Sequence, residues 1–288
     1  MSLRDGSGVL YVVATPIGNL EDITLRALRI LKEVHVIAAE NVERTRGLCH
    51  HYKIETRVIS FNQHNWKRKA PQLLKALTSG HSVALVSDAG TPGVSDPGGI
   101  LVSQALERGI KVVPVPGPSA VAAALSVSGL PSSGFIFLGF LPPRRGARKR
   151  ELERWARQSL PLVIFEAPHR LVETLKDMAE VMPTRPVVLI REMTKIYEEI
   201  KRGRSDELLK KLGDGGIKGE ITLVVAGKKD VPSSKQINGE LASEIRRLVL
   251  EEGKGAKEVA ELLAGGACIP YRQIYKLCLG VKKAAEKR

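Results

Sequence analysis

"SVALVSDAGTPGVSDPGGILVSQALERGI" occupies residues 82–110. It opens on an apolar run that reads as a buried strand and closes on a helical pattern. Between them, residues 86–99 hold four glycines, two prolines and two aspartates in fourteen positions. Strand, bare loop and helix form the unit by which a parallel sheet offers backbone N–H groups to a small ligand. The stretch therefore predicts an α/β fold with a ligand site at this loop.

The same alternation extends outward on both sides. "VLYVVAT" (9–15) reads as a strand followed by the turn "PIGNLEDI". "TLRALRILKEV" (24–34) has apolar residues at helical spacing, with Thr24 as N-cap. "HVIAAE" (35–40) is a second strand, and "PQLLKALTSG" (71–80) a helix with proline at its start and glycine past its end. With "SVALVSD" and "KVVPVPG" (111–117) there are at least four strands separated by helices, which argues for a mainly parallel sheet. After residue 118 the texture changes. "FIFLGFLP" (135–142), "LVIFEAP" (162–168), "PVVLIREM" (186–193), "TKIYEEIKRG" (194–203) and "GEITLVVAG" (219–227) are strands. The last three lie close together, so the second sheet is expected to be mixed. The expected organisation is an N-terminal α/β domain (1–118), a second α/β domain (119–228), a polar linker (229–239) and a small helical module (240–288).

At 288 residues and 43% hydrophobic, the chain can bury the cores of about two domains. No apolar run approaches the roughly 20 residues of a membrane span, and the N-terminus lacks a signal-peptide pattern. A cytoplasmic, membrane-free protein is expected. Cys49, Cys268 and Cys278 show no CxxC and no metal spacing, so they read as small buried hydrophobes and no metal is expected. There are 45 Lys and Arg against 31 Asp and Glu, a net +14. That excess favours a polyanionic partner. Only 4% of residues are aromatic, which leaves little for a base-stacking platform and fits docking on folded RNA better.

The chain has no GxGxxG after its first strand, no GxxxxGK[ST], no HExxH and no GxSxG. Chemistry must come from a cofactor or from a site assembled out of loops. Three Gly- and Pro-rich loops follow predicted strands: "TPIGN", "SDAGTPGVSDPG" and "PGPSA". In a parallel sheet such loops gather on one edge, where ligands bind.

"LYVVATPIGNLEDITLRAL", "SDAGTPGVSDPG", "VPGPSA", "FLGFLP", "FEAPHRL", "REMTKIYEE" and "GEITLVV", in this order from about residue 8 to 228, resemble the ribosomal RNA small subunit methyltransferase I family. The resemblance implies two α/β domains with S-adenosylmethionine in the cleft between them, usually in a homodimer. It also implies methylation of the ribose 2′-hydroxyl of a cytidine in the decoding region of 16S rRNA. Carried over onto this sequence, cofactor contacts fall on Asp88, Ala89, Gly90 and Thr91, on Ser132 and Ser133, on Glu166, and on the backbone around Glu220 and Ile221. Pro16 and Gly18 close the mouth of the cleft. A ribose hydroxyl is a weak nucleophile, so a base or a charge facing the developing alkoxide should help; Lys195 and Glu166 are the candidates.

Two positions depart from the family's pattern. Asn41 stands in "AENVERT" where an aspartate is expected, and Gln63 in "QHN" where a glutamate is expected. An amide cannot take a proton at neutral pH, so these positions are read as binding rather than catalytic. For RNA, "FLPPRRGARKR" places Arg144, Arg145, Arg148, Lys149 and Arg150 in a Pro/Gly loop at the expected cleft. His64, Lys67 and Arg68 in "HNWKRK" form a second candidate contact, with Trp66 available for stacking. The C-terminal helices have a helix-turn-helix-like outline. Two other readings stay open: a ribosome-binding protein that kept the fold without the chemistry, and a small-molecule methyltransferase acting on a tetrapyrrole.

Overall fold

The computed structural model describes residues 8–94, 98–131, 133–212, 217–228, 239–264 and 271–285. The chain forms two compact units, residues 1–228 and 229–288. The larger begins with β1 (Val9–Val13), α1 (Leu25–Glu33), β2 (Val36–Ala39), α2 (Val42–His51), β3 (Val58–Ser60), α3 (Trp66–Thr78), β4 (Val83–Val86), α4 (Gly98–Glu107), β5 (Lys111–Val115) and α5 (Ala120–Ser128). All five strands pair in parallel, in the order β3-β2-β4-β1-β5. β2 and β4 are buried along their whole length, as expected of central strands covered on both faces. α1 and α2 pack on one face through Ala27, Ile30, Leu31, Leu48 and Cys49. α3 and α4 cover the other through Leu73, Leu77, Leu101 and Ala105. The adjacent strands β1 and β4 thus send their helices to opposite faces, which opens a crevice at their carboxyl ends.

The second sheet comprises β6 (Ile136–Phe140), β7 (Leu162–Glu166), β8 (Pro186–Arg191), β9 (Glu199–Arg204) and β10 (Ile221–Val225), in the order β6-β7-β10-β8-β9. β6 and β7 are parallel and the remaining pairs antiparallel, so the sheet is mixed. α6 (Arg145–Trp155), α7 (Leu171–Val181) and α8 (Ser205–Leu212) bury Leu152, Leu171, Leu175 and Leu208 against one face. α5 lays Val121 and Ala124 on the other, against Val163, Val188 and Val224. In the smaller unit, α9 (Gly239–Arg246), a π-helical turn, α10 (Ala256–Ala264) and α11 (Tyr271–Ala285) enclose Ile245, Leu248, Val259, Ile274 and Cys278. No helix among the described residues is long and apolar enough to cross a membrane.

Thr24 caps α1 by accepting from Ala27 N–H, as the sequence predicts. α3 differs: it starts at Trp66, and Pro71 lies inside it. The turn before it supplies the start signal instead. Asn65 Oδ1 accepts from Asn62 N–H and Asn62 Oδ1 accepts from His64 N–H, both at 3.0 Å. Ala70, Leu73, Leu74 and Leu77 then fix the buried face. Pro71 is the sixth residue of the helix, so it forgoes the hydrogen bond its N–H would have made to the Lys67 carbonyl, a cost the buried apolar face offsets. The strand expected from residue 194 begins only at Glu199, because residues 192–198 form a tight turn.

Candidate active site

One cavity of about 480 Å³ lies between the two sheets, within the range of small-molecule sites. The first sheet contributes all three loops singled out above: Ile17 after β1, Ser87 to Thr91 and Val94 after β4, and Ser119 to Val121 after β5. Opposite them stand Phe140, residues 165–168, Ile190, Met193 and residues 219–222. The loops are tied to one another. Thr15 and Gly90 exchange both backbone hydrogen bonds at 2.9 Å, and Thr91 donates to the Pro118 carbonyl at 3.4 Å. Gly90 and Gly93 have φ of 75° and 89°, which only glycine adopts without strain, so the bare loop is a geometric requirement.

Within this wall Asp88 is the informative residue. Its N–H donates to Glu40 at 3.3 Å, and its Oδ2 is 3.7 Å from Arg44 Nη1. Its Oδ1 is buried with no hydrogen-bond partner among the described residues. A buried carboxylate oxygen without a donor is costly, and it sits where a ligand amine or hydroxyl would satisfy it.

Across the cleft, the turn after β8 is strained and braced. Glu192 and Thr194 have φ of 54° and 65°, sparsely populated for residues with a Cβ. Thr194 N–H donates to Glu198 at 2.7 Å, and Asn19 N–H donates to Thr194 Oγ1 at 3.0 Å, so the β1 loop and this turn touch. Lys195 Nζ lies 2.8 Å from Glu192 and 3.3 Å from Glu220, a lining residue. Burial works to lower the Lys195 pKa, but the hydrogen bond to Glu192 and the charge of Glu220 outweigh it and leave the group above the ordinary lysine value. Lys195 is an ammonium at neutral pH. It can stabilise negative charge but cannot act as a free-amine base.

The structure gathers Asp88, Ala89, Gly90, Thr91, Glu166, Glu220 and Ile221 on the cavity wall. Pro16 and Gly18 flank the lining residue Ile17, and a Cβ on Gly18 would stand 2.6 Å from Lys195 Cγ. Ser133 is exposed and does not line the cavity, while Ser132 lies outside the described residues. Glu166 needs correction as a base. It is 2% exposed, its Oε1 accepts from Ala167 N–H and pairs with Arg170 at 3.4 Å, and its Oε2 accepts from Thr174 at 2.6 Å. Its oxygens hold the β7–α7 connection together. Arg148 is corrected as an RNA contact: it is 3% exposed and donates to Asp177 at 2.7 Å. Arg145 and Lys149 reach Asp177 and Glu180, which leaves Arg144 and Arg150 as the exposed cations of that segment with no ion pair among the described residues. His64, Lys67 and Arg68 are exposed, but Trp66 packs on the core with Lys67 over its ring. The Trp66 ring is therefore not free to stack on a base. Asn41 caps α2 by accepting from Glu43 and Arg44 N–H, and Gln63 contacts His64; neither lines the cavity. Residue-by-residue reading missed Arg44, Phe140 and Met193 as lining residues; Phe140 and Met193 lie within quoted strands and Arg44 in the first turn of α2, and only the folded chain brings them together.

Two α/β sheets with a cleft at the carboxyl ends of a parallel sheet, and an unmatched acid in its glycine-rich loop, frame a small-molecule site, and similarity to known proteins gives its class, a methyltransferase that uses S-adenosylmethionine. The model of Tetrapyrrole (Corrin/Porphyrin) Methylases matches residues 9–209. The chain is 41% identical to "Ribosomal RNA small subunit methyltransferase I" of Halalkalibacterium halodurans, over 95% of this chain and 96% of that one. It is 47% identical to the protein of the same name from Vibrio cholerae, over 80% and 81%. Its fold is similar to that of uroporphyrin-III C-methyl transferase from Thermus thermophilus complexed with S-adenyl homocysteine, with TM-score 0.56 and 23% identity over 76% of this chain and 97% of that one. The chain belongs to the ribosomal RNA small subunit methyltransferase I family.

Proposed function

We propose that this protein transfers a methyl group from S-adenosylmethionine to the ribose 2′-hydroxyl of a cytidine in the decoding region of 16S rRNA, acting on the small ribosomal subunit as a homodimer. The observation that carries the reading is the single cavity in which three post-strand loops converge around the unpartnered Asp88 Oδ1. The relatives' shared name supplies the substrate class.

When bound, the cofactor supplies an activated methyl group on a sulfonium. The residues present fit such a molecule. Asp88 and the backbone of residues 89–91 offer a carboxylate and amide groups to its polar end, and Ile17, Val121, Phe140 and Ile190 offer apolar surface. Holding two reactants in line supplies much of the rate of a methyl transfer. The hydroxyl oxygen gains negative charge as its proton passes to solvent water, and the Lys195 ammonium, beside the lining residue Glu220, stabilises that charge. Glu192 and Glu220 keep Lys195 protonated and aimed. Arg144, Arg150, His64, Lys67 and Arg68 are exposed and meet the RNA backbone in this reading.

The departures at Asn41 and Gln63 leave the cavity untouched, so they give the non-catalytic alternative no support. The test is methyl transfer from labelled S-adenosylmethionine to small subunits lacking the modification, with the labelled nucleotide mapped. Label on the ribose of a decoding-region cytidine is expected. Cofactor binding without transfer to subunits or free rRNA refutes the substrate assignment.

A further inference from the structure

A second concavity of about 510 Å³ lies along α2 and β3, walled by Arg46, Cys49, His50, Ile54, Thr56, Arg57, Val58 and Ile59. Its charge is one-sided: two arginines and a histidine, and no carboxylate in the wall. Arg145, Arg148 and Lys149 are spent on Asp177 and Glu180. Arg46, His50 and Arg57, by contrast, enter no ion pair or side-chain hydrogen bond among the described residues, although Glu43 and Glu55 are exposed nearby in sequence. Unpaired cations gathered in a groove are available to a ligand's negative charge.

Two further features give that ligand a shape. Arg46, Gly47 and His50 share one face of α2 by helical spacing. Gly47 weakens the helix, yet a Cβ there would meet nothing within 4 Å, so no packing within this chain requires it. Gly47, beside the groove wall rather than in it, leaves bare helix backbone next to Arg46. α2 also borders both cavities: Arg44, in its first turn, lines the cleft, and His50, about 9 Å farther along the axis, lines the groove.

We infer that the groove of Arg46, His50 and Arg57 holds the phosphodiester backbone of the RNA beside the methylation cleft, with Gly47 giving it room. This rests on the RNA reading above. It adds a phosphate contact at the α2–β3 edge of the first domain to those the sequence points to.

The test uses the full chain and small ribosomal subunits lacking the modification. Arg46→Gln with Arg57→Gln is compared with Arg108→Gln and Lys111→Gln, which remove the same charge around β5, at the opposite edge of the sheet. For the groove variant we expect the subunit KM to rise about tenfold, with kcat within twofold and cofactor Kd unchanged. The slope of log affinity for free 16S rRNA against log salt should shrink by about 1.4, roughly 0.7 per lost phosphate contact. Gly47→Leu, which fills the bare patch without changing charge, should also raise KM without lowering the melting temperature. Groove variants that match the wild type and the control in KM and salt slope overturn the inference while leaving the methyltransferase reading intact. A wild type that methylates no RNA refutes that reading instead. The groove is then judged on free 16S rRNA binding alone, where equal affinity of wild type and groove variant overturns it.

Discussion

Gly18→Ala tests whether contact between the two sheets' loops sets the reaction geometry. A Cβ at this position would stand 2.6 Å from the Met193 carbonyl oxygen, 2.6 Å from Lys195 Cγ and 2.7 Å from Thr194 Oγ1. Ordinary contact begins at 3.4 Å, so the methyl group falls about 0.8 Å short. None of the three neighbours yields easily. Met193 presents backbone, Thr194 is held at φ 65° by its bond to Glu198, and Lys195 is anchored by Glu192 and Glu220. The β1 loop must therefore retreat from the turn by nearly 1 Å. Overpacking of this kind costs about 1–3 kcal/mol, which lowers the melting temperature by roughly 2–12 °C in a unit of this size. A misplacement near 1 Å costs on the order of 100-fold in rate. We expect kcat/KM for methyl transfer to fall about 10–100-fold in a protein that still melts cooperatively. Wild-type kcat/KM in Gly18→Ala would refute the claim that this contact sets the geometry.

Asp88→Asn keeps the size and removes the charge; calorimetry should find S-adenosylmethionine bound at least about tenfold more weakly, with little loss of thermal stability, because Oδ1 has no partner to lose and the long, part-exposed Oδ2–Arg44 pair is weak. Arg148→Ala leaves the fully buried Asp177 with Arg145 alone, so urea unfolding should register a loss of about 3–5 kcal/mol while the subunit KM of the folded protein stays put. Lys195→Gln should lower kcat about 10–100-fold with little change in cofactor Kd, and Lys195→Arg should restore part of it. The hydrogen bonds from Lys195 and from Glu220 N–H hold Glu192 below the ordinary carboxylate range. Its stabilising contribution is therefore complete above the ordinary carboxylate pKa and is lost as pH falls through the lowered folded value. That of Lys195, whose pKa is raised, is complete below the ordinary lysine value and is lost as pH rises through the folded one. Melting temperature should plateau between these limits, and Glu192→Gln should flatten the acid limb. An unchanged acid limb in that variant would count against the pair.

Much of the architecture is legible along the chain because it is local. The runs "VIAA" and "VALV" are apolar at every position, which only a strand covered on both faces tolerates, and both are buried throughout. Thr24 at the start of a helical period is the cap it looks like. The three glycine-rich loops meet at one cavity because parallel strands all deliver their following loops to the same edge. Pro71 misleads because the side chains of Asn62 and Asn65 fix an earlier helix start, and the buried face of α3 offsets the hydrogen bond the proline forgoes.

Charge is where the line of sequence and the folded molecule part. "RRGARKR" counts five cations in seven residues, yet α7 carries Asp177 and Glu180 to meet three of them, and Arg148 is buried outright. Glu166 looks like an available acid until Thr174, Ala167 and Arg170 close around it. Arg46 and Arg57 stand eleven positions apart and attract no notice until β3 lies against α2. Periodicity and loop composition report what each residue does to its own stretch of backbone, so the sequence by itself determined every strand but the three-residue β3, the parallel sheet, the loop-built cleft and the family. Which charges are spent and which are free depends on ion-pair partners up to forty-four positions away. Tertiary structure alone decided that, because Coulomb and hydrogen-bond energies depend on distance in space and not on distance along the chain.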